Sequence, residues 1–311
     1  MAKYLVTGGA GFIGSHLVSA LLAKKHDVIV LDNLLTGKIE NVPEEAHFVL
    51  GSICDAPLVK KLLEGTDGCF HLAAIPSVLK ANEAWLDTHQ INLAGTITIF
   101  DAARTANKGC PVPVVYASSA AVYGDNTDLP LSESCQPTPV GAYGVDKFAC
   151  ELHARVAGIV HKVPTYGLRF FNVYGPRQDP NSPYTGVISI FMDRLKQKQP
   201  LFVYGDGKQT RDFIFVRDIA NFCIEAMSHA AVDAPVSNAC CGKGVSILEL
   251  TEILIPLFGH QVEIIFKPPR IGEVYHSVGD VSLAIEQLGM RAQTDLATGL
   301  AELHAYQESM P

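Results

Sequence analysis

The nine residues Val6-Thr7-Gly8-Gly9-Ala10-Gly11-Phe12-Ile13-Gly14 constrain this chain more than any other stretch of it. They follow the β-rich run KYLVT and open the helical pattern IGSHLVSALLAKK, so they read as the turn between a first strand and a first helix. Gly8 allows the tight turn, Gly11 lets backbone amides approach a pyrophosphate at the helix N-terminus, and Gly14 permits the helix to pack closely on the strand. A second β-run, DVIVLD, ends on Asp32, eighteen residues beyond Gly14, where a carboxylate can accept both hydroxyls of a ribose. A 2′-phosphate there would be repelled, and the next residue is Asn33 rather than Arg, so the pattern favours NAD over NADP.

The rhythm continues beyond this unit. HFVLGSI, PLVKKLLEG, GCFHLAA, INLAGTITIFDAARTA and PVVYASS alternate between strand and helix patterns, the βαβ order of a parallel sheet covered on both faces. TYGLRFFNVYG, FIFV and VSNAC could add strands. Loops rich in Pro, Gly and Asp at 173–187, 204–212 and 267–280 would build a second lobe over the sheet's carboxyl edge, where ligands bind in open α/β sheets. The expected fold is α/β, a Rossmann-like doubly wound parallel sheet with a smaller C-terminal substrate lobe. Residues 1–172 would form the NAD-binding domain, with 211–238 returning to it, and 173–210 with 239–311 the lobe.

Composition narrows the partners. With 24 Lys and Arg against 32 Asp and Glu the net charge is -8, which argues against nucleic acid. The eight cysteines are scattered with no CxxC pair, and read as thiols of a reducing compartment; the adjacent Cys240 and Cys241 read as packing. His71 and His276 fall near the expected cleft, but no metal-ligand spacing accompanies them, so no metal is expected. The first 23 residues contain an apolar stretch, but Gly8, Gly9, Gly11 and Gly14 interrupt it as they would not a secretory leader. No other run approaches the roughly eighteen apolar residues of a membrane span. The reading is a soluble, cytoplasmic chain with no membrane partner.

Tyr143 and Lys147 stand four residues apart in a helical pattern, which puts them on one face. A phenol ionises near pH 10, so it acts as a base near neutrality only beside a positive charge; Lys147 and a cationic nicotinamide ring could supply one. The GxxGxxG spacing, followed about 130 residues later by YxxxK, resembles the extended branch of the short-chain dehydrogenases/reductases, and within it the sugar-nucleotide 4-epimerases. The resemblance spans nearly the whole chain. It implies that Ser119, in Tyr116-Ala117-Ser118-Ser119, completes a catalytic set with Tyr143 and Lys147, bonding the substrate's 4-oxygen and relaying a proton, while Ser118 is structural. It adds Phe12, Ile13, Ser52, Ile53, Leu72, Ala73, Ala74, Asn92 and Phe171 to the NAD site, Ser52 standing where the family commonly has Asp.

On the substrate side the resemblance implies Ser77, Asn172, Tyr204, Arg211, Arg270, Glu273 and Ser277, with Asn172 on the diphosphate, the two arginines suited to phosphate and Glu273 to ribose hydroxyls. Related dehydratases and decarboxylases carry an acid one or two places after the serine; here Ala120 and Ala121 stand there, which leaves reversible oxidation at C4 as the simpler reaction. The expected function is an NAD-dependent 4-epimerase of UDP-glucose/UDP-galactose, and also of the N-acetylated pair, because in epimerases resembling this chain a Tyr at the place of Ser277 excludes an acetamide and a small residue admits it. The alternatives are another reductase, dehydratase or decarboxylase of the same branch acting on a nucleotide sugar, or a non-catalytic NAD-sensing module. The resemblance also implies a homodimer, since in that family the helices corresponding to the patterns near 86–106 and 143–162 pack against their copies as a four-helix bundle.

Overall fold

The computed structural model describes residues 1–76, 78–179, 186–269 and 274–309. The first half runs β1 (Lys3–Thr7), α1 (Phe12–Ala23), β2 (Asp27–Asp32), β3 (His47–Leu50), α2 (Ala56–Leu63), β4 (Gly68–His71), α3 (Val78–Glu83), α4 (Trp85–His89), a π-helical turn Gln90–Ala94, α5 (Gly95–Ala103), β5 (Val114–Ser119) and α6 (Ala142–His161). The second runs β6 (Thr165–Phe170), β7 (Asn172–Tyr174), α7 (Val187–Lys196), β8 (Leu201–Tyr204), β9 (Thr210–Phe215), α8 (Val216–Ser228), β10 (Val236–Ala239), β11 (Gly244–Ser246), α9 (Ile247–Leu257), β12 (Ile264–Lys267), β13 (His276–Ser277), α10 (Ser282–Leu288) and α11 (Leu296–Ser309).

Seven of these strands form one parallel sheet in the order β3-β2-β1-β4-β5-β6-β10. Its strands are apolar on both faces because both are covered. Leu5, Ile29 and Val114 pack with Val59 of α2, Ile99 of α5 and Ala154 of α6. Their chain neighbours Val6, Val30 and Val115 point the other way, into a layer with Leu17 of α1, Ile219 of α8 and Leu288 of α10. The order reverses between β1 and β4, which opens a crevice at the carboxyl ends of the strands.

A second layer sits over that edge. Strand β9 pairs with β11 antiparallel and with β7 and β13 in parallel, and β8 pairs with β12. Phe191, Leu195, Leu201, Leu250 and Leu300 fill its core with Tyr174 and Phe215. Of the stretch 211–238, β9 pairs within this smaller sheet, whereas α8 and β10 belong to the layers of the larger one. Among the described residues no helix is long and apolar enough to cross a membrane.

Candidate active site

A cleft of about 800 Å³ lies between the layers, over the switch point. The glycine turn makes its floor. Gly8 has φ +72°, and a Cβ there would lie 2.7 Å from the Ala73 amide nitrogen, so no other residue fits. A Cβ on Gly14 would collide with the Gly8 carbonyl, whereas one on Gly11 would meet no nearer atom than that carbonyl at 3.2 Å. Gly11 caps α1 without a side-chain hydrogen bond, which leaves the helix's first amides to a ligand on the cleft side.

Asp32 lines the same cleft, 8 % exposed. Its Oδ2 accepts from the Ala10 amide at 3.1 Å and its Oδ1 from the Leu34 amide at 2.8 Å, so the carboxylate is clamped between the glycine turn and the loop after β2 with lone pairs left for hydroxyls. Phe12, Ile13, Asn33, Ser52, Ile53, Leu72, Ala73, Ala74 and Phe171 also line it. Asn92 does not. It is 1 % exposed, and its amide clasps Ile75 instead, accepting from the Ile75 amide at 2.8 Å and donating to the Ile75 carbonyl at 3.2 Å. A helical turn cradle, a glycine-only approach and a clamped carboxylate together fit a dinucleotide with free ribose hydroxyls.

Ser119, Tyr143 and Lys147 meet in this cleft. Ser119 ends β5, and its Oγ accepts from the Ala121 amide at 3.2 Å. Tyr143 and Lys147 share a face of α6; Lys147 Nζ donates to the Ala117 carbonyl at 2.9 Å and stands 5.8 Å from the centre of the Tyr143 ring. The third residue of that stripe, Glu151, accepts from Ser118 Oγ at 2.5 Å and pairs with Arg169 at 2.8 Å, both charged groups being buried. Helix α6 thus grips both β5 and β6 behind the catalytic set. Sequence reasoning missed Glu151, although its i+8 spacing from Tyr143 signals it.

Asn172, at the start of β7, lines the cleft, but Tyr204, Arg211 and Ser277 do not line it in this structure. Arg211 and Ser277 are register partners on β9 and β13, and Arg211 Nη1 donates to the carbonyls of Thr210 and Tyr275 at 2.9 and 3.2 Å. Asp212, the acid beside Arg211 in sequence, turns to the opposite face, as alternation along a strand requires. It is fully buried, accepts from the Cys241 and Gly242 amides at 2.8 Å each, and burial pushes its carboxyl up to about 6. Ser77, Arg270 and Glu273 lie outside the described residues. Two lining groups had no local signal: Lys38 and Asp179 pair at 3.1 Å from opposite sides of the cleft. Burial raises the thiol of Cys241 to about 12 and that of Cys240 further.

Comparison with known proteins agrees with this geometry. Residues 4–239 match the NAD dependent epimerase/dehydratase family. The chain is 38 % identical over 298 residues to a putative UDP-glucose 4-epimerase of Methanocaldococcus jannaschii, covering 95 % of each chain. Among solved structures it superposes with a TM-score of 0.93 on the UDP-N-acetylglucosamine 4-epimerase of Methanobrevibacter ruminantium in complex with UDP-N-acetylmuramic acid, at 34 % identity and covering 99 % of this chain and 98 % of that one. It superposes at 0.90 on the UDP-glucose 4-epimerase of Thermus thermophilus in complex with NAD, at 31 % identity and covering 99 % and 100 %. The chain therefore belongs to the NAD dependent epimerase/dehydratase family, as an enzyme whose cofactor is NAD.

Proposed function

We propose that this chain is a UDP-sugar 4-epimerase that interconverts UDP-glucose with UDP-galactose, and the N-acetylated pair, by transient oxidation at C4. The observation that carries the proposal is the meeting of Ser119, Tyr143 and Lys147 in one cleft with a cradle suited to NAD. When bound, the dinucleotide supplies reversible hydride exchange. Tyr143 Oη takes the proton of the C4 hydroxyl, directly or through Ser119 Oγ, and later returns it. Lys147, held on the Ala117 carbonyl, keeps a positive charge beside that phenol. The sugar must present its other face before the proton returns, so the grip has to be firm on the diphosphate, where Asn172 in the cleft is suited to act, and loose on the hexose.

Ala120 and Ala121 stand where a dehydratase or decarboxylase of this branch would carry an acid, which disfavours those reactions. NMR of UDP-glucose and UDP-N-acetylglucosamine incubated with the protein tests the reading: both 4-epimers should appear without net NAD reduction. Loss of water or of carbon dioxide from the appropriate nucleotide sugar would assign the chain to the rival activities.

The functional unit is a homodimer in this reading. Trp85 and Leu86 on α4 and Ile159 and Val160 on α6 are each more than half exposed, with Val145, Leu152 and Val156 beside them on α6, an apolar face suited to a second copy. Light scattering at micromolar concentration should give twice the chain mass; a monomer refutes it.

A further inference from the structure

His71 ends β4 below the cleft and is buried with hydroxyls on both ring nitrogens. Its Nδ1 lies 2.8 Å from Thr7 Oγ1 and its Nε2 3.0 Å from Thr96 Oγ1. The direction of every bond in this chain follows from counting protons. Thr96 Oγ1 is 2.6 Å from the Asn92 carbonyl, which can only accept, so the one hydroxyl proton of Thr96 is spent there. Thr96 must then accept from His71, which puts the ring proton on Nε2. The lone pair on Nδ1 in turn takes the proton of Thr7, and Thr7 Oγ1 is left to accept from the Ala73 amide at 3.3 Å. The relay runs one way: Ala73 N–H to Thr7, Thr7 to His71, His71 to Thr96, Thr96 to the Asn92 carbonyl.

Both ends of the relay hold one loop. Residues 72–76 line the cleft. Thr7 anchors that loop at Ala73, immediately against Gly8, and Asn92 anchors it at Ile75 with both atoms of its amide. Asn92 sits in the π-helical turn, its carbonyl accepting from Thr96 four residues on and its side chain reaching Ile75. We propose that His71, fixed as the neutral Nε2–H tautomer, is a positioning residue that locks the 72–76 loop against the glycine turn and so preorganises the NAD cradle. A second proton on the ring would leave Thr7 Oγ1 facing two donors with no acceptor for its own hydrogen, a buried loss. Burial, with Lys147 as the charged neighbour, opposes that proton too.

The proposal rests on the assignment of the cleft to NAD, and the test separates the two. On the full-length wild-type protein with ¹⁵N-labelled histidine rings, NMR should show one imidazole protonated on Nε2 that does not titrate between pH 5 and pH 9; a proton on Nδ1, or titration of this ring in that range, overturns the relay. NAD affinity and dissociation are then measured for wild type, Thr96→Val, which keeps the shape and removes the hydroxyl, and Thr96→Ser, which restores it. Thr96→Val should weaken NAD binding about tenfold or more and Thr96→Ser should recover most of the loss. Equal NAD affinity in all three overturns the positioning role, whereas a wild type that binds no NAD would overturn the cofactor assignment itself. Should Thr96→Val not fold, hydrogen exchange on the wild type decides: the Ala73 and Ile75 amides should open together, and independent opening overturns the lock.

Discussion

Glu151→Gln removes one charge from the network behind the catalytic set while changing its shape very little. In the wild type the carboxylate accepts from Ser118 Oγ at 2.5 Å, from Arg169 Nε at 2.9 Å and from Arg169 Nη2 at 2.8 Å, and the two charged side chains are 7 % and 5 % exposed. Glutamine keeps one acceptor for Ser118 and Nε, but its amide then turns two N–H donors toward the Nη2 donors. The guanidinium, whose Nη1 has no hydrogen-bond partner among the described residues, is left buried without its paired carboxylate, the more distant Glu133 being its remaining negative neighbour. Breaking a buried pair from one side costs about 3–5 kcal/mol. The Tyr123 ring, 4.8 Å from the guanidinium carbon, faces the charge in both proteins and so leaves this difference unchanged. With an unfolding entropy of about 2.1 cal/mol/K per residue, a loss of about 3–5 kcal/mol in a chain of 311 residues lowers Tm by about 5–8 °C. Ser118→Ala removes one hydrogen bond to the carboxylate, about 1.5–3 kcal/mol, and leaves the ion pair, so it should lower Tm by about 2–5 °C, less than Glu151→Gln. Scanning calorimetry of the three proteins at pH 7 checks this. A Glu151→Gln protein within 1 °C of wild type, or a Ser118→Ala protein as unstable as Glu151→Gln, would refute the account of the pair.

Tyr143→Phe should lower kcat by at least about a hundredfold while leaving Tm and NAD affinity near wild type, since it deletes only the hydroxyl that moves the proton; wild-type-like turnover would remove Tyr143 from the mechanism. Stability should fall as pH drops below 6.5. Burial holds His71 at about 3 and also lowers His16, so the unfolded chain binds protons there that the folded chain does not, a loss approaching 1.4 kcal/mol per pH unit from His71 alone; Asp212, raised by burial to about 6, opposes it only below pH 6, so the loss from the two histidines begins first and prevails. A urea midpoint that is flat or rises from pH 7 to pH 5 would contradict that sign. Ser277→Tyr, beside Arg211 in the β9–β13 register, should depress kcat/KM for UDP-N-acetylglucosamine at least about tenfold more than for UDP-glucose; an equal effect on both would show that the position is not a gate.

The parts of the site that were legible are those whose chemistry tolerates few residue types at fixed spacing. Gly8 and Gly14 sit where any Cβ collides, and Asp32 ends the next strand, so the cradle can be read from the sequence. The four-residue step from Tyr143 to Lys147 survives folding because α6 is an unbroken helix. Asn92 stands behind the cleft wall, holding Ile75, in a π-helical turn that no hydrophobic periodicity announces. Arg211 and Asp212 are neighbours in sequence that a strand sends to opposite faces, so the burial of Asp212 on the Cys241 and Gly242 amides could not be read from its place beside Arg211. Lys38 and Asp179 come together from segments far apart in the chain, and nothing local in either one marks the contact.

The central claim is that C4 is oxidised and reduced by the same closed site, with the proton moved by Tyr143. UDP-glucose carrying deuterium at C4 tests it most directly. Incubated with the protein in ordinary water, it should yield UDP-galactose that retains the deuterium at C4, with none released to solvent and none moved to C6, and the Tyr143→Phe protein should form this product at least about a hundredfold more slowly. Loss of the label to water, its transfer to another carbon, or its unchanged handling by the Tyr143→Phe protein would contradict the account.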